Sequence, residues 1–113
     1  MERVYKIMPA AEWADAKAAG VYSGSVHDLR DGFIHLSNAD EAAATAAKHF
    51  AELPGLVLLA IDPALLGVSL KWEPSRGGAL FPHLYGSLPV STVVETHDLP
   101  VGADRRHIFP SRF

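Results

Sequence analysis

The chain has 113 residues, 49% of them hydrophobic and 20% charged, with a formal charge of −3. That is the size and balance of one soluble domain, and the mild negative charge excludes a general attraction to nucleic acid. There is no cysteine, which excludes disulfides, thiolate metal ligands and a cysteine nucleophile.

In chain order, Met1 to Lys6 lacks a basic stretch followed by a long apolar run, so no signal peptide is expected. Val4 to Met8 alternates weakly and predicts a first strand with Tyr5 and Ile7 on one face. Pro9 suits a helix start, Ala10 to Ala19 are strong helix formers, and Gly20 is placed to end that helix. Val21 to Gly32 carries Ser-Gly-Ser and Asp-Gly and is expected to be a loop with turns. Phe33 to Leu36 reads as a short buried strand containing His35. Asn38 can cap the next helix, with Glu41 completing a capping box. That helix is expected to reach about Leu53, burying Ala43, Ala46, Ala47, Phe50 and Leu53.

Pro54 and Gly55 stop the helix, and Leu56 to Ile61 is a continuous apolar strand expected at the centre of its sheet. It is also the longest apolar run, far too short for a bilayer, so a cytoplasmic protein without membrane association is expected. A turn follows from Asp62 to Gly67, then an alternating strand through Val68, Leu70 and Trp72. Glu73 to Gly86, with three glycines and two prolines, reads as irregular, and Pro89 to Glu95 as the last main strand. The basic tail, Arg105, Arg106, His107 and Arg112, reads as a solvated end. Short strands with two main helices fit an α+β domain and not a doubly wound sheet.

Three segments carry candidate chemistry. His35 and Ser37 stand two apart on a strand and so share a face, where they can meet the hydroxyls of one ribose. A core histidine beside a capping serine fits the same pattern. Because the strand ends where a helix begins, unpaired backbone N–H groups gather there and favour an anion. Ser75, Arg76, Gly77 and Gly78 form a second segment, in which a guanidinium fork and glycine N–H groups can cradle an anion or make a flexible turn. The third holds His83 and Tyr85, again two apart, with Gly86 leaving room for a ring to stack or the tyrosine simply packing. The six histidines show neither a HExxH pairing nor zinc-finger spacing, so no metal site is expected.

Tyr5 to Ile7, Trp13, Gly20, Tyr22 to Ser25, Asp31 to Ser37, Thr45, Ala46, His49, Phe50, Trp72, Glu73 and Phe81 to Gly86 together resemble the bacterial DUF952 family of unknown function. The resemblance spans nearly the whole chain. It implies an ADP-ribosyltransferase-like α+β fold, a split mixed or antiparallel sheet around an NAD-binding cleft, and no established activity. His35 to Ser37 and Leu56 to Asp62 are more distantly similar to the NAD-binding half of RNA 2′-phosphotransferases. By that likeness His35 and Ser37 would meet a ribose, and Arg76, Gly77 and Gly78 the pyrophosphate. Ser75 and His83 would complete the cofactor contacts, and Tyr85 would stack on a ring. Related transferases use a late glutamate, for which Glu73 and Glu95 are the candidates. The expected function is NAD or ADP-ribose binding with ADP-ribosyl-transfer chemistry, His35, Tyr85 and Glu73 being catalytic. The alternative is a non-catalytic module for a nucleotide, a small anion or a partner protein.

Overall fold

The computed structural model describes residues 2–111 and 113, and for Arg76 the backbone alone. The expectations for the Arg76 guanidinium and for Arg112 lie outside the described residues. The elements are β1 (Val4–Pro9), α1 (Ala10–Ala19), β2 (Val21–Tyr22), α2 (Val26–Asp31), β3 (Ile34–His35) and α3 (Ala39–His49). They continue as β4 (Leu56–Ile61), β5 (Leu70–Pro74), β6 (Leu80–Leu84), β7 (Leu88–Pro89) and β8 (Val93–Leu99). Two three-stranded sheets, in the orders β1-β4-β8 and β3-β6-β5, are accompanied by a small β2-β7 pair. Every strand pairing among the described residues is antiparallel, and Tyr5 opposite Ser37 bridges the two larger sheets.

The core follows from β4. Its six residues are all apolar and all buried, as a strand covered on both faces requires. Alternation sends Val57, Leu59 and Ile61 into one cluster with Val4, Met8, Trp13 and Leu84. Leu56, Leu58 and Ala60 enter the other, with Tyr5, Ile7, Ala46 and Leu99. Each fully buried leucine or isoleucine of this set contributes about 1.5–3 kcal/mol of hydrophobic stabilisation. The same period places Lys6 between Val4 and Met8, on the face of the first cluster. A lysine is thereby drawn inside, and it must find a counter-charge there.

Several expectations are corrected. The two main helices are joined by a third, because Val21 to Gly32 is not a plain loop: it holds β2 and the six-residue α2. Ser25 caps α2, accepting from the Asp28 N–H at 3.1 Å, while the Asp28 carboxylate accepts from the Ser25 N–H at 2.9 Å. Gly32, at φ 85°, closes α2 in the left-handed region that suits glycine. In α3 the Asn38 side chain accepts from the Glu41 N–H at 2.9 Å, as a cap should, but the helix ends at His49 and not near Leu53. Its buried residues are Ala42 and Ala46, with Ala43 and Ala47 exposed, so the buried stripe is turned from the expected one. The chain leaves the helix through Glu52, at φ 60°, to feed β4.

Glu73 to Gly86 is also not irregular. Leu80–Leu84 is the central strand of its sheet although it contains Pro82. In an antiparallel pair, the N–H and C=O of one residue face the same neighbour. The Pro82 carbonyl accepts from the Leu36 N–H at 3.1 Å, so the missing N–H faces the short β3 side and costs nothing against β5. The last strand starts at Val93, later than expected, because Val90–Thr92 forms a short 3-10 turn first. The tail folds back: His107 Nε2 bonds the Leu53 carbonyl at 2.8 Å, and Phe109 and Phe113 pack on the second cluster. Among the described residues, no helix is long and apolar enough to cross a membrane.

Candidate functional site

A cleft of about 810 Å³ opens where the two larger sheets meet. Its lining includes Lys6, His27, Asp28, Asp31, His35, Ser37, Lys48, His49, Ser75 and His83. Histidines and carboxylates dominate its chemistry, and Asp28 organises them.

Asp28 is 1% exposed. Its carboxylate accepts from Lys6 Nζ at 3.0 and 3.2 Å, from the backbone N–H of Ser25 at 2.9 Å and from that of His35 at 3.1 Å. It also meets His35 Nδ1 at 2.6 Å. Burial by itself pushes this carboxyl up. The His35 hydrogen bond, the Lys6 charge and the two backbone donors outweigh it and hold Asp28 well below the usual carboxylate range. For Lys6 the balance is reversed: burial pulls the ammonium down, and Asp28 restores only part of the loss. The asymmetry has a structural cause. Asp28 collects four donor groups, whereas Lys6 has that carboxylate and the His35 carbonyl at 3.0 Å. Gly24 makes room for the arrangement. At φ 112° it sits in the left-handed region, and a Cβ there would lie 3.0 Å from the Asp28 Cβ.

The result is an oriented imidazole. Asp28 holds Nδ1 of His35, while Nε2 lies 2.9 Å from Asp31 Oδ2, on the more exposed side. The His27 ring lies 4.5 Å from the His35 ring and 5.7 Å from that of His49. Beside His35, Ser37 Oγ is 3.0 Å from Thr45 Oγ1 on α3. An imidazole fixed at one nitrogen by a buried carboxylate can present the other as an acid, a base or a ligand.

His83 is the cross-strand partner of His35, but its environment differs. Phe33 stacks on it at 4.1 Å, and its Nδ1 lies 2.9 Å from Glu73 Oε1. Tyr85 donates to the same oxygen at 2.7 Å. These two hydrogen bonds, the tyrosine's first, hold the Glu73 carboxyl below its usual value.

The match to the model of the family described as "Protein of unknown function (DUF952)" covers residues 7–96. The chain belongs to the DUF952 family. The DUF952 chain is also similar to protein CC0527 from Caulobacter crescentus. Against its crystal structure the identity is 53%, the TM-score 0.90, and coverage 94% of this chain and 93% of that one. Against the solution NMR structure of CC0527 the identity is 54%, the TM-score 0.84, and coverage 94% and 91%. No curated protein matches the chain.

Within this DUF952 chain the expected residues separate into two groups. His35, Ser37, Ser75 and His83 line one cleft. Glu73, Tyr85, Gly77 and Gly78 are not among its lining residues; Glu73 and Tyr85 reach it through His83, and Tyr85 also through Phe33, whose ring packs on His35. The Gly78 N–H closes a tight turn onto the Ser75 carbonyl at 2.7 Å, which takes it away from any anion. Lys6, His27, Asp28 and Asp31 escaped the sequence reading. Two signals were present: Ser25 and Asp28 at capping-box spacing, and His27 and Asp31 one helical turn apart.

Proposed function

We propose that the cleft binds a nucleotide of the NAD or ADP-ribose type, in a split-sheet domain of ADP-ribosyltransferase-like design. The observation that carries the reading is the His35 imidazole, clamped at Nδ1 by buried Asp28 and set beside the Ser37 and Thr45 hydroxyls. Such a ring can hold a ribose hydroxyl at Nε2 once Asp31 yields. The position of the cleft, where two three-stranded sheets meet at Tyr5 and Ser37, supports the same reading. Its volume of about 810 Å³ lies within the range of small-molecule sites. In ADP-ribosyl transfer the bond from the ribose anomeric carbon to nicotinamide breaks, nicotinamide leaving with the bonding pair, and the oxygen of an acceptor hydroxyl bonds that carbon while its proton passes to solvent. The cleft would serve by fixing the sugar and by directing dipoles at the developing positive charge.

A specific observation favours binding without transfer. Glu73 is engaged by Tyr85 and His83, and Glu95 by Arg3 at 2.9 Å and His97 at 3.0 Å. Neither lines the cleft. Titration with ADP-ribose, followed by amide resonances near Ser37 and His35, tests the binding. Shifts confined to the cleft support it, and none at millimolar ligand overturns it. Release of nicotinamide from NAD, measured by chromatography, separates transfer from binding alone.

A further inference from the structure

We propose that His27, Asp31 and His35 form a binding site for a divalent transition metal, with zinc the best fit. One ligand atom from each lies within 4.8 Å of the other two. Asp31 Oδ2 stands 3.5 Å from His27 Nε2 and 2.9 Å from His35 Nε2. Ligand atoms about 2.0–2.1 Å from a tetrahedral zinc lie roughly 3.4 Å apart, close to the two separations that Asp31 makes. Two imidazoles and one carboxylate also suit zinc and its neighbours in the first transition row better than magnesium or calcium.

The backbone builds the arrangement. His27 and Asp31 are one turn apart on α2, and the Gly32 turn brings His35 back beside them. The strongest support is Asp28. A histidine that binds metal through one nitrogen commonly donates the other N–H to a carboxylate, which fixes its tautomer and strengthens it as a ligand. Asp28 stands 2.6 Å from His35 Nδ1 and is itself held by Lys6 and two backbone N–H groups. Nε2 is then the nitrogen left facing Asp31, where a cation between the two would be held by both. His27 is held more loosely. Its Nδ1 lies 2.6 Å from Arg30 Nη2, and metal binding through Nε2 requires this exposed arginine to swing away.

Three protein ligands at the mouth of the cleft leave at least one coordination position for water or an incoming oxygen ligand. The metal would also add positive charge to a cleft whose buried lysine is already neutralised by Asp28. With metal bound, an incoming hydroxyl or phosphate oxygen would meet the metal in place of His35 Nε2.

Metal-free protein titrated with Zn²⁺ in a calorimeter tests the site, with Co²⁺ as a spectroscopic probe. The expected result is one ion per chain, with visible cobalt absorption characteristic of four or five nitrogen and oxygen ligands. His27→Ala and Asp31→Asn alter exposed side chains and should leave the fold intact by circular dichroism. Each should weaken Zn²⁺ binding at least tenfold. Absence of binding at micromolar Zn²⁺, or affinity unchanged in both variants, overturns the proposal. The metal is titrated without nucleotide, and ADP-ribose binding is measured separately in the presence of a chelator, so the two readings fail independently.

Discussion

Two histidines sit side by side in this fold, each against a carboxylate, and the two pairs are buried the opposite way round. In one, the Asp28 side chain is 1% exposed and that of His35 28%. In the other, the His83 side chain is 7% exposed and that of Glu73 36%. The same two chemical groups therefore do different work. Where the carboxylate is inside, it is fixed by surrounding donors and aims an imidazole at the cleft. Where the imidazole is inside, stacked on Phe33, the carboxylate only caps it from the solvent side. Burial decides which partner of each pair is held rigid, and only in the Asp28 pair does the more exposed partner line the cleft while its buried partner anchors it.

The largest effect that follows is at Asp28. Asp28→Ala leaves the Lys6 ammonium buried without its counter-charge and strips His35 of its anchor. Breaking a buried pair in this way costs about 3–5 kcal/mol. Urea unfolding should show that loss. A cost below about 1 kcal/mol, the usual worth of an exposed pair, would mean that Asp28 is not the organiser described here.

Acid should produce a smaller version of the same loss. The Asp28 carboxyl lies lower in the folded chain than its unfolded value of about 3.9. Its contribution is therefore complete above that value and disappears as the pH falls through the folded one. Between pH 7 and pH 3 the native protein should lose more stability than Asp28→Asn does. Equal losses in the two would place the acid sensitivity elsewhere.

His83→Ala tests the other pair. The variant loses the Phe33 stack and a buried imidazole, but it abandons no buried charge, because Glu73 can turn to water. The cost should be about 1–3 kcal/mol, clearly below that of Asp28→Ala. A larger loss than at Asp28 would invert the comparison.

These differences explain what the sequence could reveal. The unbroken apolar run from Leu56 to Ile61 announced a central strand, and Pro9 and Gly20 bracketed α1. Both signals are local. α2 escaped because it has six residues, follows Ser-Gly-Ser, and exposes Val26 and Leu29 where an apolar stripe was sought. Its capping box was readable, but the partners of Asp28 were not. Lys6 lies 22 residues away and His35 seven, and only the packing of β1 against the first cluster brings them together. His35, Ser37, Ser75 and His83 stood out as polar residues in chemically suggestive segments. Which carboxylate each histidine would meet depends on the register of β3 against β6 and on a helix that the sequence did not announce.

The smallest effect is expected at Glu73, which the likeness to related transferases offered, beside Glu95, as a catalytic carboxylate. Gln at that position keeps a carbonyl oxygen for the Tyr85 hydroxyl and for His83 Nδ1, and the side chain is open to solvent, where water replaces whatever is lost. Glu73→Gln should therefore leave the urea midpoint unchanged within error and leave ADP-ribose binding as it was. The charge matters only if Glu73 orients a ribose or activates an acceptor, as the transfer reading requires. If the native protein releases nicotinamide from NAD, assay of the variant decides the point. Loss of release with unchanged stability would make Glu73 catalytic and would mean that the cleft closes over it when ligand binds. Unchanged release would leave the Asp28–His35 pair as the chemical centre and the Glu73–His83 pair as its support.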